Sequence, residues 1–312
     1  TMIEDYGMYG IAEAMDFHRV IEGEASLAAI LAYAREKGLW IDGHAPCVRG
    51  EALDAYIAAG VRTDHESVTV EEMLEKYEKG MYVIVRRGSL KEPASAKELL
   101  EKVGETERVL LSTDGCITVQ DMLAHGHMNY ALAQLVSEGV EPMRAVRMAT
   151  LYPAKAYGLS HMGSVTVGKK ADLLLVKDLQ DFEAVFVYVD GMPLLSAYER
   201  EAFPEEVIHS LHHKAFVKQD MAIEVPAGAE EVQAAVLAVV DGTLETRKEE
   251  KILRVKADAL CLPADILYCA VADRYRKEGS VGTGLVCGAG TFRGAVAGSI
   301  AQDTQNLIGL GS

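Results

Sequence analysis

Leu39-Trp40-Ile41-Asp42-Gly43-His44-Ala45-Pro46 ends a short apolar run on a histidine and closes it with a turn. The same grammar returns at Gly60-Val61-Arg62-Thr63-Asp64-His65-Glu66 and at Val109-Leu110-Leu111-Ser112-Thr113-Asp114. Each His or Asp therefore stands where a strand is expected to stop. Imidazole and carboxylate are suited to hold a divalent metal that activates water. Side chains at the C-terminal ends of parallel strands are how (β/α)8 barrels build active sites. The pattern is that of a metal-dependent hydrolase core.

Spacing supports a barrel. A (β/α)8 domain of roughly 250 residues allots about 31 residues to each βα unit. Glu13 to His44 spans one such unit, His44 to His65 a short one, and His65 to Asp114 two short ones. The strand between the last two is Met81-Tyr82-Val83-Ile84-Val85-Arg86. Helices are expected over 24–37 up to Gly38, over 51–59 up to Gly60, and over 70–79 between Thr69 and Gly80. Five strands with four intervening helices give the βαβ rhythm of a parallel sheet. A helix over 141–157, begun by Pro142, closes the region.

Beyond it, 163–168 and 171–176 look like strands, as does Ala184-Val185-Phe186-Val187-Tyr188-Val189 before the Asp190-Gly191 turn. The expected organisation is a barrel portion over 1–160, a small β-sandwich segment over 161–196, and an α+β domain over 197–312. In the last, strands are expected near 235–240 and 251–255, after a polar connector that contains His212 and His213.

Composition excludes several classes. The chain has 312 residues, 49% of them hydrophobic, enough for a sizeable core. A net charge of −16 argues against binding a nucleic-acid backbone. No apolar run approaches the roughly 18 residues needed to span a membrane. Thr1-Met2-Ile3-Glu4-Asp5 is acidic where a secretion signal would be basic. Five cysteines without a Cys-x-x-Cys pair suit reduced thiols, so a cytoplasmic protein is expected. The glycine-rich run from Gly282 to Gly294 misses the dinucleotide spacing, since its third glycine comes one residue late. Pro46-Cys47 is not followed by the second cysteine of the zinc-deaminase signature.

The segments Gly10-Ile11-Ala12-Glu13-Ala14-Met15-Asp16-Phe17, Ile41-Asp42-Gly43-His44-Ala45-Pro46 and Thr63-Asp64-His65-Glu66 resemble the amidohydrolase superfamily, and within it the bacterial adenine deaminase family. Gly80-Met81-Tyr82-Val83 with Arg86 and Gly88-Ser89 adds to the likeness, as do Ala149-Thr150-Leu151, Pro153-Ala154, Gly163-Ser164-Val165 and Gly168 to Asp172. Gly294-Ala295-Val296-Ala297 with Ser299-Ile300-Ala301 and Asp303 resembles that family's C-terminal domain. The resemblance covers nearly the whole chain.

It implies a binuclear centre of manganese or iron(II), with zinc an alternative. Glu13 resembles the bridging carboxylate of strand 4, His44 and His65 the histidines of strands 5 and 6, and Asp114 the strand-8 aspartate that touches metal and shuttles the proton. Glu66 is suited to a hydrogen bond with a purine ring nitrogen. Arg86 and His127 are candidate substrate-binding residues. For Arg86 the bland alternative is an ordinary ion pair. For His127, in His125-Gly126-His127, it is the start of a helix. The implied reaction is hydrolytic deamination of adenine to hypoxanthine and ammonia in purine salvage, by a homo-oligomer with no nucleic-acid or membrane partner. Two alternatives stand beside it: another amidohydrolase reaction, such as cyclic amide hydrolysis, and an incomplete chain kept for binding or assembly.

The departures are specific. The family's strand-1 His-x-His has no counterpart, so the chain is expected to begin just before strand 4, to stop short of the family's last stretch, and to be a poor catalyst alone. Cys47 stands where glycine is usual, Gly115 where a second aspartate is usual, and Gln302 and Gln305 where histidines are usual.

Overall fold

The structure is a computed structural model describing residues 2–88, 95–194, 202, 204–208, 211–213, 215–240, 246–275, 279–291, 293–299 and 306–312. Ser89, Gln302 and Gln305 lie outside the described residues. Two compact units divide the chain, Thr1–Ala197 and Tyr198–Ser312.

The first unit opens with α1 (Met2–Tyr6), β1 (Gly10–Ala14), α2 (Phe17–Ile21), α3 (Ala25–Glu36) and β2 (Trp40–Gly43). It continues through α4 (Gly50–Ala58), β3 (Thr63–Asp64), α5 (Val70–Glu78), β4 (Tyr82–Arg86), α6 (Ala96–Val103) and β5 (Val109–Ser112). All five strands run parallel. β1 pairs with β2, with Ile11 opposite Ile41. β3, β4 and β5 pair in order. The Arg62 N–H donates to the Ile41 carbonyl, and the Gly43 N–H to Thr63 Oγ1. These bonds join β2 to β3, so the strands follow one another side by side as a portion of a (β/α)8 metal-hydrolase barrel. Gly43 is required at that seam. A Cβ there would sit 2.2 Å from the Thr63 carbonyl oxygen and 2.6 Å from a Val61 methyl.

Alternation places the core. In β4, Val83 and Val85 are wholly buried and pack with Leu99 of α6 and Leu110 of β5. A second cluster joins Ile41, Leu53, Tyr56 and Val61. Helix ends follow the expected chemistry: Thr69 caps α5 by accepting from the Glu72 N–H, and Gly38, Gly60 and Gly80 follow α3, α4 and α5 with positive φ.

After β5 come α7 (Val119–His125), α8 (Met128–Ser137), α9 (Pro142–Ala149) and α10 (Leu151–Ala156). The single helix expected over 141–157 is broken at Thr150, with φ −131° and ψ −76°. Pro153 explains the break. It has no N–H to give Ala149, and its ring would strike that carbonyl in a continuous helix; inside the first turn of α10 it costs little.

A three-stranded antiparallel sheet ends the unit: β6 (Leu173–Val176), β7 (Ala184–Val189) and β8 (Met192–Pro193). The strand expected over 163–168 is not formed. Gly163 and Gly168 take φ near 89° and 87°, the Lys169 N–H closes a turn onto the Thr166 carbonyl, and Val165 and Val167 are exposed.

In the second unit, described residues form α11 (Glu205–Ile208), β9 (Glu231–Val239), β10 (Thr246–Lys256), β11 (Ala259–Cys261), β12 (Ile266–Ala272), β13 (Val281–Cys287), β14 (Ala295–Gly298) and β15 (Leu307–Gly311). The strands make one sheet in the order β11-β10-β9-β13-β12-β15-β14, antiparallel except where β13 meets β9. The helical share among described residues is small: α11 and a 3-10 turn at Lys218–Met221.

Candidate metal centre

The C-terminal ends of β1, β2, β3 and β5 bring the sequence-derived candidates together. Glu13 stands on β1, His44 one residue past β2, His65 and Glu66 just past β3, and Asp114 at the turn after β5. The His44 and His65 ring centroids are 5.4 Å apart and nearly perpendicular. His44 Nδ1 lies 3.3 Å from Glu13 Oε2 and 3.7 Å from Glu66 Oε1. His65 Nε2 lies 3.9 Å from Glu13 Oε1 and 3.3 Å from Glu66 Oε1. Metal bonds of about 2.1 Å in a tetrahedral shell separate ligand atoms by about 3.4 Å. The side chains stand at that separation.

Two groups have the dimensions of a metal site: Glu13 with His44 and His65, and His65 with Glu66 and Asp114. Within each, the ligand atoms lie within 4.8 Å of one another. The four expected ligands thus do not form one cluster. Asp114 is grouped with Glu66 rather than with Glu13 and His44, and His65 is common to both groups. One atom tests whether the residues fit an ion. His44 Nδ1 is buried without a hydrogen-bond partner, and a buried ring nitrogen aimed at two carboxylates is the donor a cation would satisfy. The residues fit.

Tyr56 positions His44. Its hydroxyl accepts from the His44 N–H at 2.9 Å and donates to the Ala14 carbonyl at 2.6 Å, tying the ends of β1 and β2. Burial pushes the Tyr56 phenol well above its ordinary pKa, which keeps it a donor.

Arg86, at the end of β4, is 9% exposed. Its guanidinium donates to Glu66 Oε1 and Oε2 at 2.5 and 3.0 Å and also to Asp114 Oδ2. Burial pushes the Glu66 carboxyl above its ordinary value, against the opposing pull of Arg86 and both histidines. Burial also opposes ionisation of Asp114, but the Arg86 hydrogen bond and charge prevail and hold it below the usual range. One cation therefore pulls on two carboxyls set apart by environment. The ion-pair alternative for Arg86 is what the geometry displays.

Asp114 takes φ 45° at the head of a 3-10 turn, with Gly88 beneath it. A Cβ on Gly88 would lie 1.9 Å from the Cys116 carbonyl oxygen. His127 occupies the N-cap position of α8 without a side-chain capping bond, and its Nε2 is 3.2 Å from Thr113 Oγ1, next to Asp114. His125 closes α7 rather than opening a helix, and its ring stacks on Tyr130. Cys47 is exposed, with φ 61°.

Sequence reasoning missed the support below. Asp64, Glu72 and Lys76 are buried and bonded together beneath the two histidine loops. The signal was a lysine four residues after a glutamate on the inner face of α5, hidden in the run Glu71-Glu72-Met73-Leu74-Glu75-Lys76, which reads as a solvated face.

A parallel α/β barrel portion with His and carboxylate side chains at its strand ends defines a metal-dependent hydrolase class. The pattern of the amidohydrolase family matches residues 3–194, and the chain belongs to that family. The adenine deaminase C-terminal domain matches residues 243–312. The chain is 34% identical to the adenine deaminase of Staphylothermus marinus, over 98% of this chain and 52% of the relative. It is 36% identical to that of Methanothermobacter thermautotrophicus, over 96% of this chain and 55% of the relative. The chain thus spans about half the length of the curated relatives it matches. An N-acetyl-D-glucosamine-6-phosphate deacetylase from Mycobacterium smegmatis is similar with a TM-score of 0.45 and 21% identity, over 56% of this chain and 53% of that one.

Proposed function

We propose that this chain serves in the hydrolytic deamination of adenine, with divalent metals held by Glu13, His44, His65 and Asp114. The observation that carries the reading is the pair of ligand groups sharing His65, on a chain similar along nearly its full length to proteins named adenine deaminase. When bound, divalent ions lower the pKa of a water toward neutrality; manganese or iron(II) suits a donor set that mixes carboxylate and imidazole. Asp114, kept ionised by Arg86, accepts the proton that the water gives up and passes it toward the leaving nitrogen. Glu66, raised by burial, is placed to share a proton with a purine ring nitrogen. Arg86 holds both carboxyls in place, and His127 borders the substrate's position through Thr113. The balance is adenine plus water giving hypoxanthine plus ammonia: the C6–N bond breaks and a C6–O bond forms. We further propose a small purine as the partner, a cytoplasmic setting and a homo-oligomeric form. Among the described residues no helix is long and apolar enough to cross a membrane.

The test is adenine consumption with hypoxanthine and ammonia formed in equal amounts by the manganese-loaded protein, and its loss on chelation. Turnover of cyclic amides with adenine left untouched would replace this reading with the other amidohydrolase chemistry.

A further inference from the structure

Lys76 is 0% exposed, a costly place for an ammonium unless every proton finds an acceptor. Its Nζ donates to the Ala45 carbonyl at 2.6 Å, Glu72 Oε1 at 2.6 Å, Asp64 Oδ2 at 2.9 Å and Ser67 Oγ at 3.1 Å. The two carboxylates reach further. Asp64 accepts from the Ala45 and Glu66 N–H groups and from the Ser67 hydroxyl. Glu72 accepts from the Cys47 N–H at 2.8 Å and the Val68 N–H at 3.0 Å.

The pattern of endpoints is informative. Every one of these bonds that leaves the Asp64–Glu72–Lys76 triad ends on Ala45, Cys47, Glu66, Ser67 or Val68. Each of those residues lies within three positions of His44 or His65. The Cys47 N–H it holds belongs to a residue with φ 61°, a conformation that a non-glycine residue keeps only when its surroundings enforce it. A buried ion triad is a weak device for stability, since apolar residues of like volume often serve as well or better. The places where its bonds end point to a different role.

We propose that Lys76 is a positioning residue for the candidate metal centre: from α5 its ammonium clamps the loop after β2 to the loop after β3, and so sets the separation of His44 and His65. It touches neither imidazole and acts through the two loop backbones. This rests on the metal reading above.

The experiment compares the protein with its Lys76→Met and Ser67→Ala variants, using cobalt(II) alone as the probe. Titration gives affinity, and the visible absorption of bound cobalt reports ligand geometry. Circular dichroism of the metal-free proteins establishes that each is folded. Loss of outer support of this kind weakens metal binding about 10- to 100-fold. That loss, with an altered cobalt spectrum, is expected for folded Lys76→Met, and a smaller loss of the same sign for Ser67→Ala. Wild-type affinity and spectrum in folded Lys76→Met would overturn the inference while leaving the metal centre standing. Should Lys76→Met not fold, Ser67→Ala decides alone, and unchanged affinity and spectrum there overturn it. Failure of the unmodified protein to bind cobalt would remove the metal reading itself, and this inference with it.

Discussion

At the scale of single residues, one carboxylate pair shows how environment divides roles. Glu66 and Asp114 share Arg86, yet burial prevails at Glu66 and raises it, while the Arg86 hydrogen bond and charge prevail over burial at Asp114 and lower it. Asp114→Asn keeps the volume and removes the base, so kcat for adenine should fall by about 10²–10⁴, the usual worth of a positioned proton acceptor. The Glu13, His44 and His65 group should still take up metal; a variant with unimpaired turnover would remove Asp114 from the chemistry. A second residue makes a pH prediction away from the site. Glu24 caps α3, and hydrogen bonds from the Ser26 hydroxyl and the Leu27 N–H lower its carboxyl to about 2. A depressed acid contributes stability above its ordinary value of 4.5 that is lost as pH falls through about 2. The melting-temperature gap between the protein and Glu24→Gln should therefore be full at neutral pH and shrink as pH falls from 4.5 toward 2. A gap that stays constant across that window would show the cap is not electrostatic. The strand-end places of His44, His65 and Asp114 were legible, because an apolar run that stops at His or Asp is a local pattern, whereas Glu13 entered through the resemblance. Lys76 and the reach of Arg86 were not: the Glu72–Lys76 pair reads as part of a solvated face, and Arg86 meets Glu66 and Asp114 across distant positions of the chain.

At the scale of elements, period and punctuation carried the reading. Apolar runs ending in His or Asp marked β2, β3 and β5, and positive-φ glycines marked the ends of α3, α4 and α5. The error over 163–168 came from alternation alone: a serine–threonine hydroxyl contact and a tight turn competed with pairing and won. Two predictions belong here. Thr69→Ala removes the cap of α5 and should cost about 1 kcal/mol in urea unfolding; because α5 also carries Lys76, cobalt affinity should weaken with it. Gly43→Ala forces a Cβ against the Thr63 carbonyl at the β2–β3 seam and should cost about 1–3 kcal/mol. A neutral Gly43→Ala would mean that the seam is looser than the distances require.

At the scale of the whole molecule, the class was legible in the sequence, and the chain divides into two compact units, Thr1–Ala197 and Tyr198–Ser312. The predominance of strands in the described part of the second unit was less so. Its strands pair across distant positions, as when β13, paired antiparallel with β12, also lies parallel to β9, and no local pattern encodes that choice. The central claim is that two ligand groups sharing His65 hold the metals on which the proposed deamination depends. The most direct measurement is the metal content of the manganese-loaded protein after exhaustive dialysis, beside that of Glu13→Gln and His65→Ala, each shown to be folded. Glu13 belongs to one ligand group and His65 to both, so the account predicts partial loss in Glu13→Gln and near-complete loss in His65→Ala. Metal retained by folded His65→Ala at the level of the unmodified protein would contradict it.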